Sequence, residues 1–363
     1  MRVDFILSKD PATEHGGDVA MTKLVMALAR ESFVTRAYAL SNGPSRPDGI
    51  RRTAKPVRQP LALLRSSIRS RRSLIHSRFD TTELSSLLSE SDADMFVAEH
   101  SYMAESFLRS RSVDAKQRLL VNSHVSEADV WRLTRPTALR WEYLRIRADE
   151  RRVALAAKSV AYFDMDEVRS STSERPYWLN VTLPPHESVN RAETPRRLVF
   201  LGDRTWPPNA DAAAKAVELW PRISAGIGNA ELLLVGKSVP GAKPLRLPGV
   251  RDCAFVDDLE DLLATTRALI APVSAGGGVR VKILEAARIG LPVVGTSQAL
   301  GSLGHVFPLS PSEDDEAFVQ KARQYLLDPY TAGREGAELF ESNASRWSRK
   351  APHKVVQDWL VGK

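Results

Sequence analysis

The 363 residues suffice for about two domains, and 43% hydrophobic with 26% charged residues is the balance of a globular chain with a core, which excludes disorder and collagen-like repeats. A single cysteine, Cys253, excludes an internal disulfide framework and a cysteine-rich metal site, and this usage fits a cytoplasmic protein. The net charge is +7, with most of the surplus in residues 1–190, which hold 29 basic and 24 acidic side chains; such an excess favours anionic partners such as phosphates, nucleotides, nucleic acid or an acidic membrane face. No run approaches the roughly 18–20 apolar residues needed to cross a bilayer, and Met1-Arg-Val-Asp-Phe-Ile-Leu-Ser8 is too short and too charged for a signal peptide.

Short apolar runs alternate with helical patterns along the chain. Strands are expected at residues 3–7, 34–40, 95–98, 118–122 and 160–163, then at 197–201, 231–235, 268–272 and 291–295. Helices are expected between them, at 18–30, 138–158, 209–220, 259–266, 281–288 and 315–327. This alternation builds parallel sheets with helices on both faces, and it occurs in two sets. The stretch from Thr182 to Pro195 has three prolines and little periodicity, so it reads as the linker. The expected fold class is therefore α/β, with an amino-terminal domain over residues 1–185 and a second over 195–345. A last helical segment, 346–363 with Trp347 and Trp359, is expected to pack back toward the first domain.

Residues 50–79 contain Arg51, Arg52, Lys55, Arg58, Arg65, Arg69, Arg71, Arg72 and Arg78 and no acidic residue, with Leu61, Leu63, Leu64, Ile68, Leu74 and Ile75 interspersed. Two readings stand. The stretch is a surface for anionic membrane or polyanion, or it is a solvated connection whose apolar residues tuck onto the sheet.

The motif with the clearest chemistry runs from Ala271 to Thr296: a strand end, a glycine loop, a helix and another strand. Gly276, Gly277 and Gly278 let bare backbone approach a ligand, and the following helix presents unpaired N–H groups and a positive dipole end. Arg280 and Lys282 on its first turn oppose that dipole, which points to an anion nearby, and Glu285 one turn inward is placed to accept hydrogen bonds from a ribose. The same residues would also make a plain glycine turn before an ordinary salt-bridged helix. Asp164-Met-Asp166 could hold a divalent cation against phosphate, or simply close a strand. There is no Gly-x-Gly-x-x-Gly turn after the first strand, no Gly-x-Ser-x-Gly elbow and no His/Cys cluster for zinc.

The run Gly278-Val-Arg-Val-Lys-Ile-Leu-Glu-Ala-Ala-Arg-Ile-Gly-Leu-Pro-Val-Val-Gly-Thr296 resembles the donor-site segment of glycosyltransferase family 4, retaining enzymes of the GT-B fold. Leu198-Val-Phe-Leu-Gly-Asp-Arg-Thr-Trp-Pro-Pro-Asn-Ala-Asp211 is similar to the first strand and loop of that family's nucleotide domain, in the variant with a Trp-x-Pro-Asn signature. Residues 231–236 and 248–259 add further matches, the latter, with Phe255 and Val256, resembling the loop that holds the base. Glu14-His-Gly-Gly-Asp-Val-Ala-Met21 looks like the family's amino-terminal glycine loop and first helix.

The resemblance implies two Rossmann-like domains facing across a cleft. It also implies a nucleotide-sugar donor, linked to UDP or GDP, and transfer to a hydroxyl acceptor without a metal, with no nucleic-acid partner. Two departures are plain. The first glutamate of the family's spaced pair is replaced by Gly277, and of the Arg and Lys that hold the diphosphate only Arg204 has a counterpart, so Lys282, with Arg280, is expected to supply the missing charge. His124 at a strand end is expected to contact the donor sugar, and Gly16 and Gly17 to approach the diphosphate or acceptor, with Asp18 capping the helix behind them. Glu99 and His100 are expected to line the acceptor cleft. Two alternatives remain: a catalytically silent binder of polyanions or membranes on the same fold, and a sugar-nucleotide epimerase of the same architecture. Peripheral contact with the inner membrane face through residues 50–79 belongs to the first.

Overall fold

The computed structural model describes every residue except 45, 47, 57, 58, 243, 244, 246, 255 and 257, and the backbone alone of Ala138. It divides into two compact units, Met1–Val181 with Pro352–Lys363, and Thr182–Ala351.

The first unit holds a seven-stranded, wholly parallel sheet. Its strands are β1 (Arg2–Leu7), β2 (Val34–Leu40), β3 (Ile50–Thr53), β4 (Met95–Glu99), β5 (Leu119–Ser123), β6 (Ser159–Tyr162) and β7 (Pro176–Trp178), in the spatial order β3-β2-β1-β4-β5-β6-β7. A parallel sheet covered by helices on both faces needs strands that are apolar almost throughout. Accordingly Phe5, Ile6, Phe96, Val97, Leu119 and Leu120 are all fully buried. The five central strands lie where their apolar runs predict. The two edges, β3 and β7, carry Ile-Arg-Arg-Thr and Pro-Tyr-Trp and were not expected as strands.

Residues 60–79, expected either as a binding surface or as a connection, form two helices, Pro60–Ser70 and Leu74–Phe79. The second is fastened by a buried ionic cluster. His76 Nδ1 lies 2.6 Å from Glu105, Arg72 is 2.8 Å from the same carboxylate, and Arg152 bridges Glu105 and Asp149. The Ser73 amide donates to Asp149 at 2.7 Å. His76, Glu105 and Asp149 form the one metal-compatible grouping of at least three such side chains among the described residues, but two arginines already neutralise its carboxylates. The helix Ala351–Val361 belongs to this unit. It buries Trp359, its Val355 carbonyl accepts from Tyr177 Oη at 3.1 Å, and its His353 pairs with Glu31 at 2.9 Å.

The second unit has a five-stranded parallel sheet, order β10-β9-β8-β11-β12, from β8 (Arg197–Leu201), β9 (Glu231–Val235), β10 (Val250–Ala254), β11 (Ala268–Ala271) and β12 (Val293–Gly295). Phe200, Trp220, Phe318 and Tyr325 fill its core, and Trp220 directs its indole N–H to the Pro248 carbonyl at 3.0 Å.

Its most unusual buried group is Arg191, 1% exposed and with no carboxylate at hand among the described residues. Its guanidinium donates to four carbonyls: Leu263 (2.7 Å), Thr266 (3.0 Å), Ile289 (2.8 Å) and Gly290 (3.1 Å). They lie at or just past the carboxyl ends of the helices Leu259–Ala264 and Val281–Arg288, and the Leu263 carbonyl also accepts from Thr266. Burial pushes the guanidinium down to about 10, yet leaves it charged at neutral pH. Removing it takes a donor from four buried carbonyls, of which only Leu263 keeps another shown partner, so Arg191→Ala is expected to cost at least about 3 kcal/mol in urea unfolding, and Arg191→Lys to recover only part, because an ammonium lacks the flat fork that reaches all four.

Candidate functional site

Candidate residues gather at the carboxyl ends of the strands in both units, and each unit is described in its own right. In the second unit β11 leads into the glycine loop, where Gly276 (φ 118°) and Gly278 (φ 74°) adopt backbone angles that side-chain-bearing residues avoid. Arg280 clamps this loop by donating to the Gly278 carbonyl at 2.8 Å, and Gln298 donates to the Gly276 carbonyl. Gly276 packs beside Pro208, so the loop runs along the start of the helix Pro207–Ser224. That helix opens on two prolines, which have no N–H to offer an anion.

Positive charge is supplied instead by Lys282, on the first turn of the helix Val281–Arg288. Its Nζ donates to Asn209 Oδ1 at 3.0 Å and lies 4.8 Å from the centre of the Phe200 ring. Among the described residues no carboxylate pairs with it. Burial pushes its amine down to about 8, and the neighbouring Arg280 charge pushes the same way. A neutral amide and a ring face hold this ammonium without matching its charge.

Arg204 is disposed differently. It is 5% exposed, binds both oxygens of Asp252 at 2.8 and 2.6 Å, and donates to the Gly236 carbonyl at 2.9 Å. Its charge is already matched, and it ties the loop after β8 to β9 and β10. Glu285 stands 3.3 Å from Arg288, which also reaches Glu260. Burial raises the Glu285 carboxyl above its ordinary value despite the pull of Arg288. Gly277 is exposed at the crest of the loop; Val256 is half-buried after β10, and Phe255 lies outside the described residues.

In the first unit the helix Gly17–Arg30 begins at Gly16 (φ 145°), which takes the N-cap position expected for Asp18. Asp18 lies within the first turn, 2.5 Å from Lys9 and 3.8 Å from His100. A Cβ on Gly16 would meet Asp18 Oδ1 at 2.8 Å. Beneath this loop, His124 Nε2 is 2.5 Å from Glu99, which also accepts from Thr22 (2.9 Å) and Asn122 (3.0 Å). The carboxylate assigns the imidazole proton to Nε2. This leaves Nδ1 as an acceptor with no partner on a ring 4% exposed, packed at a tilt against His100 and Phe163.

His100 closes β4 at φ 73°, a strained angle for a side-chain-bearing residue. Burial opposes its charge, but the carboxylates of Asp18 and Glu127, the latter 2.8 Å away, prevail and raise it to about 9. Asp18, raised by burial, is drawn by His100 and Lys9 to well below the usual carboxylate range. Asp164 caps the helix Met165–Ser170 and Asp166 pairs with the exposed Arg169, which is the strand-closing reading of that motif. Asn209, Glu127 and Thr22 were not singled out from sequence. Asn209 was within reach, as the last residue of the Trp-x-Pro-Asn signature, whereas Glu127 and Thr22 carry no local signal.

The His100 ion pairs give a pH signature. Its folded value lies above the free value of 6.5, so the stabilisation is complete below about pH 6.5 and lost as pH rises through about 9. Thermal melts are expected to show a steeper loss of stability between pH 7 and 9.5 in the wild type than in His100→Asn, whose asparagine tolerates the positive φ.

Residues 195–328 match the family described as Glycosyl transferases group 1. Among curated protein sequences none matches the chain. Among solved structures, the sucrose-phosphate synthase of Thermosynechococcus elongatus is similar over 100% of both chains at 15% identity, with a TM-score of 0.70. WaaG, a glycosyltransferase involved in lipopolysaccharide biosynthesis, is similar over 100% of both chains at 16% identity and a TM-score of 0.67. Anabaena HepE, solved in complex with UDP and glucose, is similar over 100% of both chains at 12% identity and a TM-score of 0.68. At such identities the likeness is one of fold. The α/β class expected from sequence, two Rossmann-like domains of the GT-B kind, is borne out, and the group 1 glycosyltransferase match falls on the second of them.

Proposed function

We propose that this chain is a retaining, metal-independent glycosyltransferase that moves a sugar from a nucleoside diphosphate to a hydroxyl acceptor. The observation that carries the reading is the Lys282 ammonium, unmatched by any described carboxylate and set beside a glycine loop inside the group 1 glycosyltransferase segment. A diphosphate supplies the anion this arrangement lacks, and UDP is the natural first probe because similar folds have been solved with it.

Lys282 and the amides of the loop Gly276, Gly277 and Gly278 would hold the phosphates, with Arg280 fixing the loop. Arg204, matched by Asp252, would contribute by holding the loop after β8 rather than as a free charge. Glu285 would accept from the ribose, Val256 and Phe255 would border the base, and Gly16 and Gly17 would approach the diphosphate or acceptor. His124 would orient the sugar, its orphan Nδ1 accepting from a sugar hydroxyl.

In the reaction, the acceptor oxygen bonds to the anomeric carbon while that carbon's bond to the diphosphate oxygen breaks. The bonding pair stays on the departing oxygen, which takes the acceptor's proton on the same face of the sugar. Negative charge grows on the leaving oxygen, so a nearby ammonium lowers the barrier.

Calorimetry tests the reading. UDP or GDP is expected to bind the wild type, and Lys282→Ala to weaken that binding by about 2 kcal/mol, roughly thirtyfold. Absence of binding by either nucleotide would overturn the assignment. Because only the charged amine attracts phosphate, wild-type affinity is expected to fall as pH rises through about 8, while Lys282→Arg, which stays charged, shows no such fall. Asn209→Ala removes the amide that aims Lys282 and is expected to weaken nucleotide binding about fivefold, less than loss of the charge itself. Release of free nucleotide only when an acceptor is present separates transfer from epimerisation.

A further inference from the structure

The helix Pro60–Ser70 is attached to its unit along a thin line. Of its eleven residues only Leu63 and Ser67 are not exposed. Its larger apolar residues point the other way: Leu61 is 74% exposed, Leu64 44% and Ile68 66%. These three stand at i, i+3 and i+7 and share one stripe, about 60° wide at 3.6 residues per turn. Arg65 and Arg69 lie next round the helix, and Arg71, in the left-handed C-cap position, follows them; all three are exposed. A soluble helix normally buries its leucines and shows its serines. This one buries Ser67 and shows two of its three leucines.

The exposed stripe does not stand alone. Arg145, on the helix Glu142–Ala156, donates to the carbonyls of Ser67 and Arg72, and its guanidinium lies 5.9 Å from the ring of Trp141. Trp141 is 53% exposed and Leu144 59%. The acids of this second helix turn inward: Glu142 and Asp149 are buried, while Arg147 and Arg151 are exposed. Leucine and isoleucine side chains thus project beside arginines on the first helix, in a stretch of chain, residues 49–79, without a carboxylate, and Trp141 and Leu144 project beside exposed arginines on the helix that Arg145 ties to it. A rigid attachment backs it, since Arg72, Ser73 and His76, just beyond the exposed helix, are the residues locked into the Glu105–Asp149 cluster.

We propose that this face docks on the surface of an anionic phospholipid bilayer. Charge complementarity selects that partner: the arginines match phosphate headgroups, Leu61, Leu64 and Ile68 reach the acyl boundary, and Trp141 suits the headgroup level. No described helix is long and apolar enough to span a membrane, and the proposed contact is made by these side chains at the headgroup level.

Sedimentation with vesicles tests it on the full chain. Vesicles of phosphatidylcholine with about one-third phosphatidylglycerol are expected to bind at least tenfold more tightly than phosphatidylcholine alone, with a blue shift of tryptophan emission. Arg65→Gln with Arg69→Gln should lower the partition about fivefold per arginine. Leu61→Ser with Leu64→Ser and Ile68→Ser should lower it more than tenfold and leave the melting temperature unchanged, because these side chains are already exposed. Trp141→Ala is the second probe, on a different helix, and should also weaken binding.

Equal binding to neutral and anionic vesicles, or full binding by the triple variant, would overturn the proposal. So would a wild-type dimer in light scattering that the triple variant abolishes, accompanied by no vesicle binding, because the face would then pair with a second copy. Nucleotide binding, measured alongside, reports on the other unit and stays at the wild-type level in all these variants.

Discussion

Wholly parallel pairing governs what either unit can do. When every strand runs the same way, all carboxyl ends fall on one edge of the sheet, and each crossover helix begins there. Thr22, Glu99, Asn122 and His124 come from three separate stretches of sequence, yet they meet in one hydrogen-bonded group because β4 and β5 are neighbours and the first helix starts above them. In the second unit the same rule brings Phe200 at the end of β8, Asn209 on the next helix and Lys282 after β11 within contact of one another.

Three buried or half-buried cations in the second unit show three ways of holding charge away from water. Arg191 is surrounded by carbonyl oxygens, Arg204 is matched by a carboxylate, and Lys282 has only an amide and an aromatic face. The first is caged by carbonyls and the second has its charge met by Asp252, so their work is internal. Only the third gains substantially from a new anion. This ranking comes from partners, not from position: by sequence Arg204 and Lys282 looked interchangeable as phosphate ligands, and the Asp252 pair distinguishes them.

How far the residues alone could be read follows from what each position must satisfy. Central strands such as β1, β4 and β8 are covered on both faces and must be apolar, so they were legible. The three strands that escaped notice, β3, β7 and β10, all lie at sheet edges. An edge has one neighbour and a solvent side, which permits Ile-Arg-Arg-Thr or Val-Arg-Asp-Cys-Ala and erases the apolar signal. The glycine loop and its helix were legible because backbone angles and dipoles leave marks in composition. The Glu99 carboxylate on His124 and the Glu127 carboxylate on His100 were not, since a contact across about 25 residues has no periodicity. In the basic stretch, charge was plain, but only the structure shows that Ile75 joins the core while Leu61 and Ile68 stay outside.

Arg191 also constrains the order of assembly. It leaves the ribosome 99 residues ahead of the Gly290 carbonyl that completes its cage, and 72 ahead of the first. Until Gly290 is made, the guanidinium must stay hydrated. The start of the second unit therefore cannot close early during synthesis; it locks only when the helix bearing Lys282 has been threaded into place, so a chain stalled before that point leaves a charged, unsealed seam rather than a finished domain.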